Sequence, residues 1–140
     1  MQRTETNVVE FNEVSGTPGR DELTGTSGSD SLTGGFGADI LTGEAGSDQF
    51  VYNSIRDAGD TITDFEIGND QIVLTGVLDS FGYDGSDALA DGYVQVVEMG
   101  SNSVVQIDSD GPDGRGIFRP FILVENAAAA DLSAASNFAF

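Results

Sequence analysis

The sequence predicts an all-β fold in which a short stack of parallel coils is followed by antiparallel strands. One nine-residue unit is written four times in residues 16–51. In each unit the seventh and ninth places flank one large apolar residue at the eighth, the alternation of a half-buried strand. Beyond residue 60, short apolar runs are separated by glycine and acidic turns, which indicates further strands. A length of 140 residues suits one domain.

The four units read GTPGRDELT, GTSGSDSLT, GGFGADILT and GEAGSDQFV. Each has glycine at its first and fourth places, aspartate at its sixth and a large apolar residue at its eighth. Glycine admits left-handed backbone angles, so the first six residues are predicted to form a turn and the last three a short strand. The aspartates are Asp21, Asp30, Asp39 and Asp48, and the apolar residues are Leu23, Leu32, Leu41 and Phe50.

Two units complete one coil, because each unit contributes one turn and one strand on its own side. The spacing therefore predicts Asp21 beside Asp39 on one flank and Asp30 beside Asp48 on the other. Two carboxylates about 4 Å apart repel by roughly 4 kcal/mol at an effective dielectric near 20. Calcium is the counter-charge we expect, because turns supply only oxygen and the chain has no histidine or cysteine for zinc. A solenoid without metal is the alternative, and its apolar strip would be a thin core.

The unit resembles G-G-x-G-x-D-x-U-x, the calcium-binding nonapeptide of RTX (repeats-in-toxin) proteins. The resemblance implies a parallel β-roll (a right-handed β-solenoid) of about two coils, capped by an antiparallel β-rich carboxyl-terminal part. It also implies Ca²⁺ held by the carboxylates of the sixth place and by backbone oxygens of the second and fourth places. Those backbone positions are Thr17, Gly19, Thr26, Gly28, Gly35, Gly37, Glu44 and Gly46, of which only Gly35 matches the glycine at the second place.

The composition excludes several classes of function. A net charge of −19, with only five basic residues, disfavours nucleic acid and anionic membrane surfaces as partners. Without histidine and cysteine there is no Ser-His-Asp or Cys-His triad and no ordinary zinc hydrolase. A carboxylate pair for glycoside hydrolysis stays formally open, but every acid with a readable spacing belongs to a turn. We therefore expect no enzymatic activity.

Residues 1–15 are predicted to be a cap or leader, since Asn12 and Val14 occupy the sixth and eighth places of a preceding unit. The start lacks the charged and apolar regions of a signal peptide, and no run of about eighteen apolar residues exists. The chain opens abruptly into its repeats, which suggests the carboxyl end of a longer protein.

Residues 52–78 contain two predicted strands, at 61–65 and 71–74, joined by a turn. This stretch resembles the segment that follows the roll in RTX proteins. In the metalloprotease branch, acids just after the last strand bind a further calcium, which implies Asp57 and Asp60 as ligands here. The weaker candidates are Asp64 and Asp70.

A hairpin is predicted at 93–98 and 103–107, followed by a strand at 117–124 in which Pro120 suggests a bulge or an edge. The intervening acids are Asp108, Asp110 and Asp113. The EF-hand pattern fails there at its fifth and twelfth places, so a turn is favoured over a metal loop.

The tail is predicted to form a short helix within 127–136 before the final aromatics. It resembles the uncleaved carboxyl-terminal signal of type I secretion substrates, a reading compatible with a terminal strand tucked into the core. The order of elements after the repeats resembles the terminal module of large bacterial surface adhesins. The implied division is 1–15 cap or leader, 16–51 roll, 52–120 β-rich capping region and 121–140 secretion signal region.

The resemblances imply a calcium-binding module that stays unfolded in low calcium and folds outside a Gram-negative cell. It would support type I secretion of a larger protein, an adhesin, through an ABC exporter complex and without an amino-terminal signal peptide. Its partners would be calcium ions, the exporter and the amino-terminal remainder of the parent protein. The alternative is an accessory polysaccharide-binding or positioning module of a secreted epimerase or metalloprotease, with Tyr52, Tyr83, Tyr93 and Phe36 as sugar platforms.

Overall fold

Two sheets face each other across an apolar core in the computed structural model, which describes residues 11–111, 114 and 117–140. Successive short strands alternate between the sheets, so that the chain winds as a coil. β1, β3 and β5 lie side by side in one sheet, and β2 and β4 in the other. Their bounds are β1 Asn12–Ser15, β2 Glu22–Thr24, β3 Asp30–Thr33, β4 Ile40–Thr42 and β5 Gln49–Val51.

The strands pair in parallel at the eighteen-residue offset that two units predict. Leu23 lies opposite Leu41, and Val14 opposite Leu32. The eighth-place side chains stack along the inside of the roll, where Leu32 and Leu41 are fully buried. The predicted parallel β-roll and its register are therefore present.

The roll extends further than the expected two coils. β6 (Asp60–Ile62) pairs in parallel with β4, and β7 (Gln71–Val73) pairs in parallel with β5. The two strands predicted at 61–65 and 71–74 therefore lie in opposite sheets, and they continue the coil where we expected a cap to begin after residue 51. Their offsets from the preceding coil are 21 and 22 residues. A 3-10 turn at Ile55–Asp57 and a longer turn before β7 hide the nine-residue phase, although the strand pairing is unbroken.

The predicted antiparallel hairpin closes the second sheet. A short helix, α1 (Thr75–Ser80), leads to β8 (Val94–Met99) and β9 (Asn102–Ile107), which pair antiparallel. β10 (Arg119–Val124) lies between β9 and β6, antiparallel to the first and parallel to the second. The register shifts between Pro120 and Ile122, which is the bulge that the proline predicts. The hairpin sheet is thus fused to the roll rather than separate from it.

The carboxyl-terminal tail belongs to the fold. The predicted helix is shorter than 127–136: α2 spans Ala129–Leu132 and a 3-10 turn follows it. β11 (Phe138–Ala139) then pairs in parallel with β7, and Phe138 is buried. The Asn137 side chain fixes this arrangement, because its Oδ1 accepts a hydrogen bond from the Gly68 N–H at 3.0 Å. The compatible alternative, a terminal strand tucked into the core, is what forms.

Among the described residues, no helix is long and apolar enough to cross a membrane. Residues 1–10 of the cap or leader predicted at 1–15 lie outside the described residues, and so does Asp113. Asn12 and Val14 fall at the expected sixth and eighth places, since β1 pairs with β3 in the register of a preceding unit.

Candidate metal centre

The predicted carboxylate pairs meet on the two flanks of the roll. On one flank, Oδ1 of Asp39 accepts a hydrogen bond from the N–H of Asp21 at 2.7 Å. On the other flank, Oδ1 of Asp48 accepts one from the N–H of Asp30 at 2.9 Å. Asp39 and Asp48 thus each accept a hydrogen bond from the backbone of the aspartate one coil earlier. The carboxylates form two ladders that follow the coil axis.

Each ladder has a further member beyond the four repeats. Oδ1 of Asp60 accepts from the N–H of Asp39, and Oδ1 of Asp70 accepts from the N–H of Asp48, both at 2.9 Å. Asp60, a predicted ligand, and Asp70, a weaker candidate, therefore both continue the ladders. Asp70 and Ile72 keep the spacing of the sixth and eighth places, and that two-residue signal could have identified it.

Two other predicted acids accept hydrogen bonds from backbone N–H groups in the turns. Asp57 is buried and its Oδ2 accepts hydrogen bonds from the N–H groups of Asn53 and Ser54, at 3.0 and 3.2 Å. Asp64 accepts from two N–H groups of the fourth unit, those of Gly43 and Glu44. These bonds give each carboxylate a structural partner in the fold.

The first two repeats satisfy their own carboxylates. The N–H of Thr17 donates to Oδ2 of Asp21 at 2.7 Å, and its hydroxyl donates to Oδ1 at 3.0 Å. Thr26 holds Asp30 in the same way, at 2.7 and 2.9 Å. Threonine stands at the second place of these two repeats, where the repeat pattern has glycine. Its N–H and hydroxyl therefore hydrogen-bond to a carboxylate that a metal would otherwise bind.

Deeper in the roll, three carboxylates keep an oxygen without a partner. Oδ2 of Asp39, of Asp48 and of Asp60 is buried and accepts no hydrogen bond. A buried charge without a partner is strongly unfavourable, so these oxygens require a cation or a proton.

The pKa values of these carboxyl groups are raised, which also shows that a bare negative charge is unfavourable at these positions. Burial raises the pKa of Asp48 to about 7 and that of Asp60 to about 7, although a backbone N–H bond to each carboxylate opposes the rise, as does the Tyr52 hydroxyl beside Asp60. Burial likewise raises the pKa of Asp39 and of Asp70. Neighbouring acids add to the rise in each case. A bound cation would remove the advantage of the protonated form.

Backbone carbonyls complete the oxygen set. A Cβ placed on Gly37 would lie 2.7 Å from the carbonyl oxygen of Gly19, and one on Gly35 would lie 3.3 Å from that of Thr17. Oxygens of the second and fourth places therefore face the turn one coil further on. Gly37 also has a φ of +94°, which glycine alone adopts easily.

The glycines of the first place have a different role from the one expected. None of the four has a left-handed φ. A Cβ on Gly16 would instead lie 2.6 Å from Oδ2 of Asp21 and 2.7 Å from the carbonyl oxygen of Gly34. The carboxylate of the same unit comes close at all four glycines, and at Gly16 and Gly25 the backbone of the next coil does so as well.

Carboxylates alone do not build the site. Within the described part of the chain, no group of three or more acidic, histidine or cysteine side chains gathers around one point. The ligand sphere must therefore mix carboxylates with carbonyls, which suits calcium and its about six to eight oxygens. The residues that would hold it are the aspartates of the ladders together with the carbonyls of the second and fourth places, and calcium would supply the missing positive charge.

Comparison with protein families identifies the repeats. The model of the RTX calcium-binding nonapeptide repeat, in four copies, matches residues 15–50. Residues 15–50 are RTX repeats. RTX repeats bind Ca²⁺ and indicate a secreted protein. The cofactor predicted from the stacked aspartates is thereby confirmed.

The RTX roll also resembles a solved structure. The AlgE6R3 subunit of the mannuronan C5-epimerase from Azotobacter vinelandii, determined in solution, is 27% identical with a TM-score of 0.57. The match covers 97% of this chain and 86% of that one. No curated protein matches the chain. The likeness extends well beyond the repeats and supports the all-β fold of the chain.

Proposed function

We propose that this chain is a calcium-driven folding and export module of a larger secreted protein, and that it has no catalytic activity of its own. The observation that carries the proposal is the set of buried, unpartnered carboxylate oxygens on Asp39, Asp48 and Asp60. In low calcium these charges oppose the fold. In high calcium the same charges bind the ion that completes it.

The magnitudes support a switch rather than a small adjustment. Extracellular calcium sites have dissociation constants of about 10⁻⁴–10⁻³ M. A tenfold excess of calcium then stabilises the folded chain by roughly 1.4 kcal/mol per site. Two to four sites would contribute about 3–6 kcal/mol, against about 5–15 kcal/mol for the stability of a whole domain. Calcium binding is therefore large enough to decide whether the chain folds.

Export follows from the same switch. An unfolded acidic chain can thread a type I ABC exporter from its carboxyl end in the low calcium of the cytoplasm, and it folds once it meets calcium outside a Gram-negative cell. Only the composition of the tail supports this role, because the tail contains acidic and small residues and ends with aromatic ones. The parent protein that fits the order of elements is a surface adhesin. Folding outside would also prevent the chain from sliding back.

Deleting residues 131–140 should abolish export. The chain would be fused behind a reporter and expressed in a Gram-negative host that carries a type I exporter, and the reporter would be measured in the medium. Phe138→Ala is the matched control, since it weakens the packing of β11 and keeps the tail. Export that survives the deletion would mean that the tail is only a structural cap.

A second candidate function, polysaccharide binding, is supported by a groove of about 420 Å³ beside the roll. Phe36, 42% exposed, lines it, and the Arg56 guanidinium lies 4.7 Å from the centre of the Phe36 ring. Of the other three proposed platforms, Tyr52 and Tyr83 are buried and Tyr93 is half-buried. The resemblance to an epimerase subunit supports the same idea.

A glycan array in calcium would test this second candidate. If the groove binds sugar, Phe36→Ala should lower binding about tenfold or more, because an aromatic face is the main contact for a sugar ring. Ile67→Ala changes an equally exposed apolar residue elsewhere and should leave binding unchanged. An array that shows no calcium-dependent binding of the unsubstituted chain would rule polysaccharide binding out.

A further inference from the structure

Two aspartates on one flank of the roll are equally buried but differ in their hydrogen bonds. Asp30 is 0% exposed, and Asp48, one coil further along, is 1% exposed. Oδ2 of Asp48 accepts no hydrogen bond, whereas both oxygens of Asp30 accept one from within their own turn. The two turns, GTSGSD and GEAGSD, follow one sequence pattern. Burial is therefore not what distinguishes them.

The residue at the second place makes the difference. In the second repeat, the N–H of Thr26 donates to Oδ2 of Asp30 at 2.7 Å and its hydroxyl donates to Oδ1 at 2.9 Å. In the fourth repeat this place is occupied by Glu44, whose N–H donates to Asp64 at 2.8 Å instead. The carboxylate of Asp30 is therefore satisfied by its own turn, and that of Asp48 is not.

The backbone of the two kinds of turn differs at the same place. Gly35 in the third repeat and Glu44 in the fourth have left-handed φ angles of +81° and +66°. Thr17 and Thr26 are not among the described residues with a positive φ. A β-branched side chain strongly resists that conformation. Threonine therefore keeps the first two turns in the form in which the N–H of the second place reaches the aspartate of the same turn.

The hydroxyl of Thr26 is fully used in this turn. It donates to Oδ1 of Asp30, and it accepts from the N–H of Gly28 at 3.1 Å and from Nδ2 of Asn12 at 3.2 Å. A hydroxyl has one proton and two lone pairs, so no capacity is left. Asn12 pairs with Asp30 from the preceding coil and presents an amide donor there. Hydrogen-bond donors thus surround a carboxylate that elsewhere in the roll lacks a partner.

We propose that threonine at the second place takes the role of calcium in the first two turns, so that this one position decides which repeats bind the ion through their aspartate. Thr17 makes the same bonds to Asp21, and its hydroxyl accepts from the N–H of Gly19 at 3.2 Å. Calcium binding through the aspartates of the repeats then begins with the third repeat. This division between the repeats does not depend on whether the chain is exported.

The first turn keeps a part in calcium binding through its backbone. The carbonyls of Thr17 and Gly19 face the turn of the third repeat, in which Asp39 has an unpartnered oxygen. The first coil is therefore a base, held by hydrogen bonds, on which the first calcium-binding coil stacks. Only its carboxylates are excluded from the ligand set.

Replacing Thr26 with glycine should add one bound calcium ion per chain. Glycine removes the hydroxyl and allows the left-handed turn, so Asp30 would keep an unpartnered buried oxygen like that of Asp48. Equilibrium dialysis of the full chain in saturating calcium, with excess magnesium to displace diffuse counter-ions, would count the ions. Thr26→Ser keeps the hydroxyl and is the matched control, with the count of the unsubstituted chain. Thr26 is exposed, so both variants should fold, and circular dichroism in calcium would check this.

The reverse change in the fourth repeat should remove an ion. Glu44→Thr places a β-branched residue at a φ of +66°, so the turn should change to the threonine form and bring its donors to Asp48. The count should then fall by one per chain. Glu44→Gly tolerates the left-handed angle and should keep the full count, which separates the effect of threonine from the loss of the glutamate charge.

An unchanged ion count in a folded Thr26→Gly chain would overturn the proposal, and so would an equal gain in Thr26→Ser. An unsubstituted chain that binds no calcium would overturn both this proposal and the proposed function. A gain of one ion in Thr26→Gly supports the proposal even if the unsubstituted chain stays β-rich in excess chelator, a result that would contradict the proposed function alone.

Discussion

Removing calcium from the purified chain should convert it from a β-rich fold into an expanded coil. The folded roll buries carboxylates that stack one coil above another, and Asp39, Asp48 and Asp60 each keep an unpartnered buried oxygen. A net charge of −19 adds general repulsion that favours expansion. Without the ion, the apolar strip of the roll has to stabilise the fold against both effects.

Circular dichroism during a calcium titration, followed by addition of a chelator, would measure this change. We expect a coil spectrum without calcium, a cooperative transition to β structure with it, and full reversal by the chelator. Magnesium at the same concentration should fail to replace calcium, because it requires a tighter octahedron and keeps its water. A chain that stays compact and β-rich in excess chelator would contradict the proposed function.

The sequence is most informative where the nine-residue phase is intact. Spacing alone predicts the offset between paired strands, the buried rows that contain Leu32 in one sheet and Leu41 in the other, and the two flanks on which the aspartates meet. The nine-residue phase ends at residue 51, because longer turns put Asp60 and Asp70 21 and 22 residues after their partners. Strand pairing tolerates such insertions, since a longer turn can leave the strand itself in register.

The individual quality of each site could not be predicted, because it depends on contacts made in the folded turn. Thr17 and Thr26 depart from the repeat pattern, which suggests only a looser site. In the structure, their hydroxyl and N–H groups donate to Asp21 and Asp30, whereas Asp39 and Asp48 keep a free oxygen. The third and fourth repeats are therefore the ones in which we expect calcium to matter most.

Replacing Asp48 with asparagine should therefore weaken calcium-driven folding more than the same change at Asp21. The amide oxygen of the new side chain can still accept the hydrogen bond that the N–H of Asp30 donates to Oδ1, but the charged ligand is lost. We expect the calcium midpoint to rise about tenfold, which corresponds to about 1.4 kcal/mol. Asp39→Asn should behave like Asp48→Asn, and Asp21→Asn should give a smaller rise.

The behaviour of the metal-free chain distinguishes a calcium ligand from a residue that is only structural. Asp48 lies between Asp30 and Asp70, and its pKa is raised first by burial and then by repulsion from these two acids. Removing its charge should relieve that repulsion, so the metal-free Asp48→Asn chain should be more compact than the metal-free parent even as its calcium midpoint rises. A structural aspartate would instead lose stability in both forms. Asp84→Asn, which removes an exposed charge, should leave the midpoint nearly unchanged, and an equal midpoint for Asp48→Asn and Asp84→Asn would exclude Asp48 as a ligand.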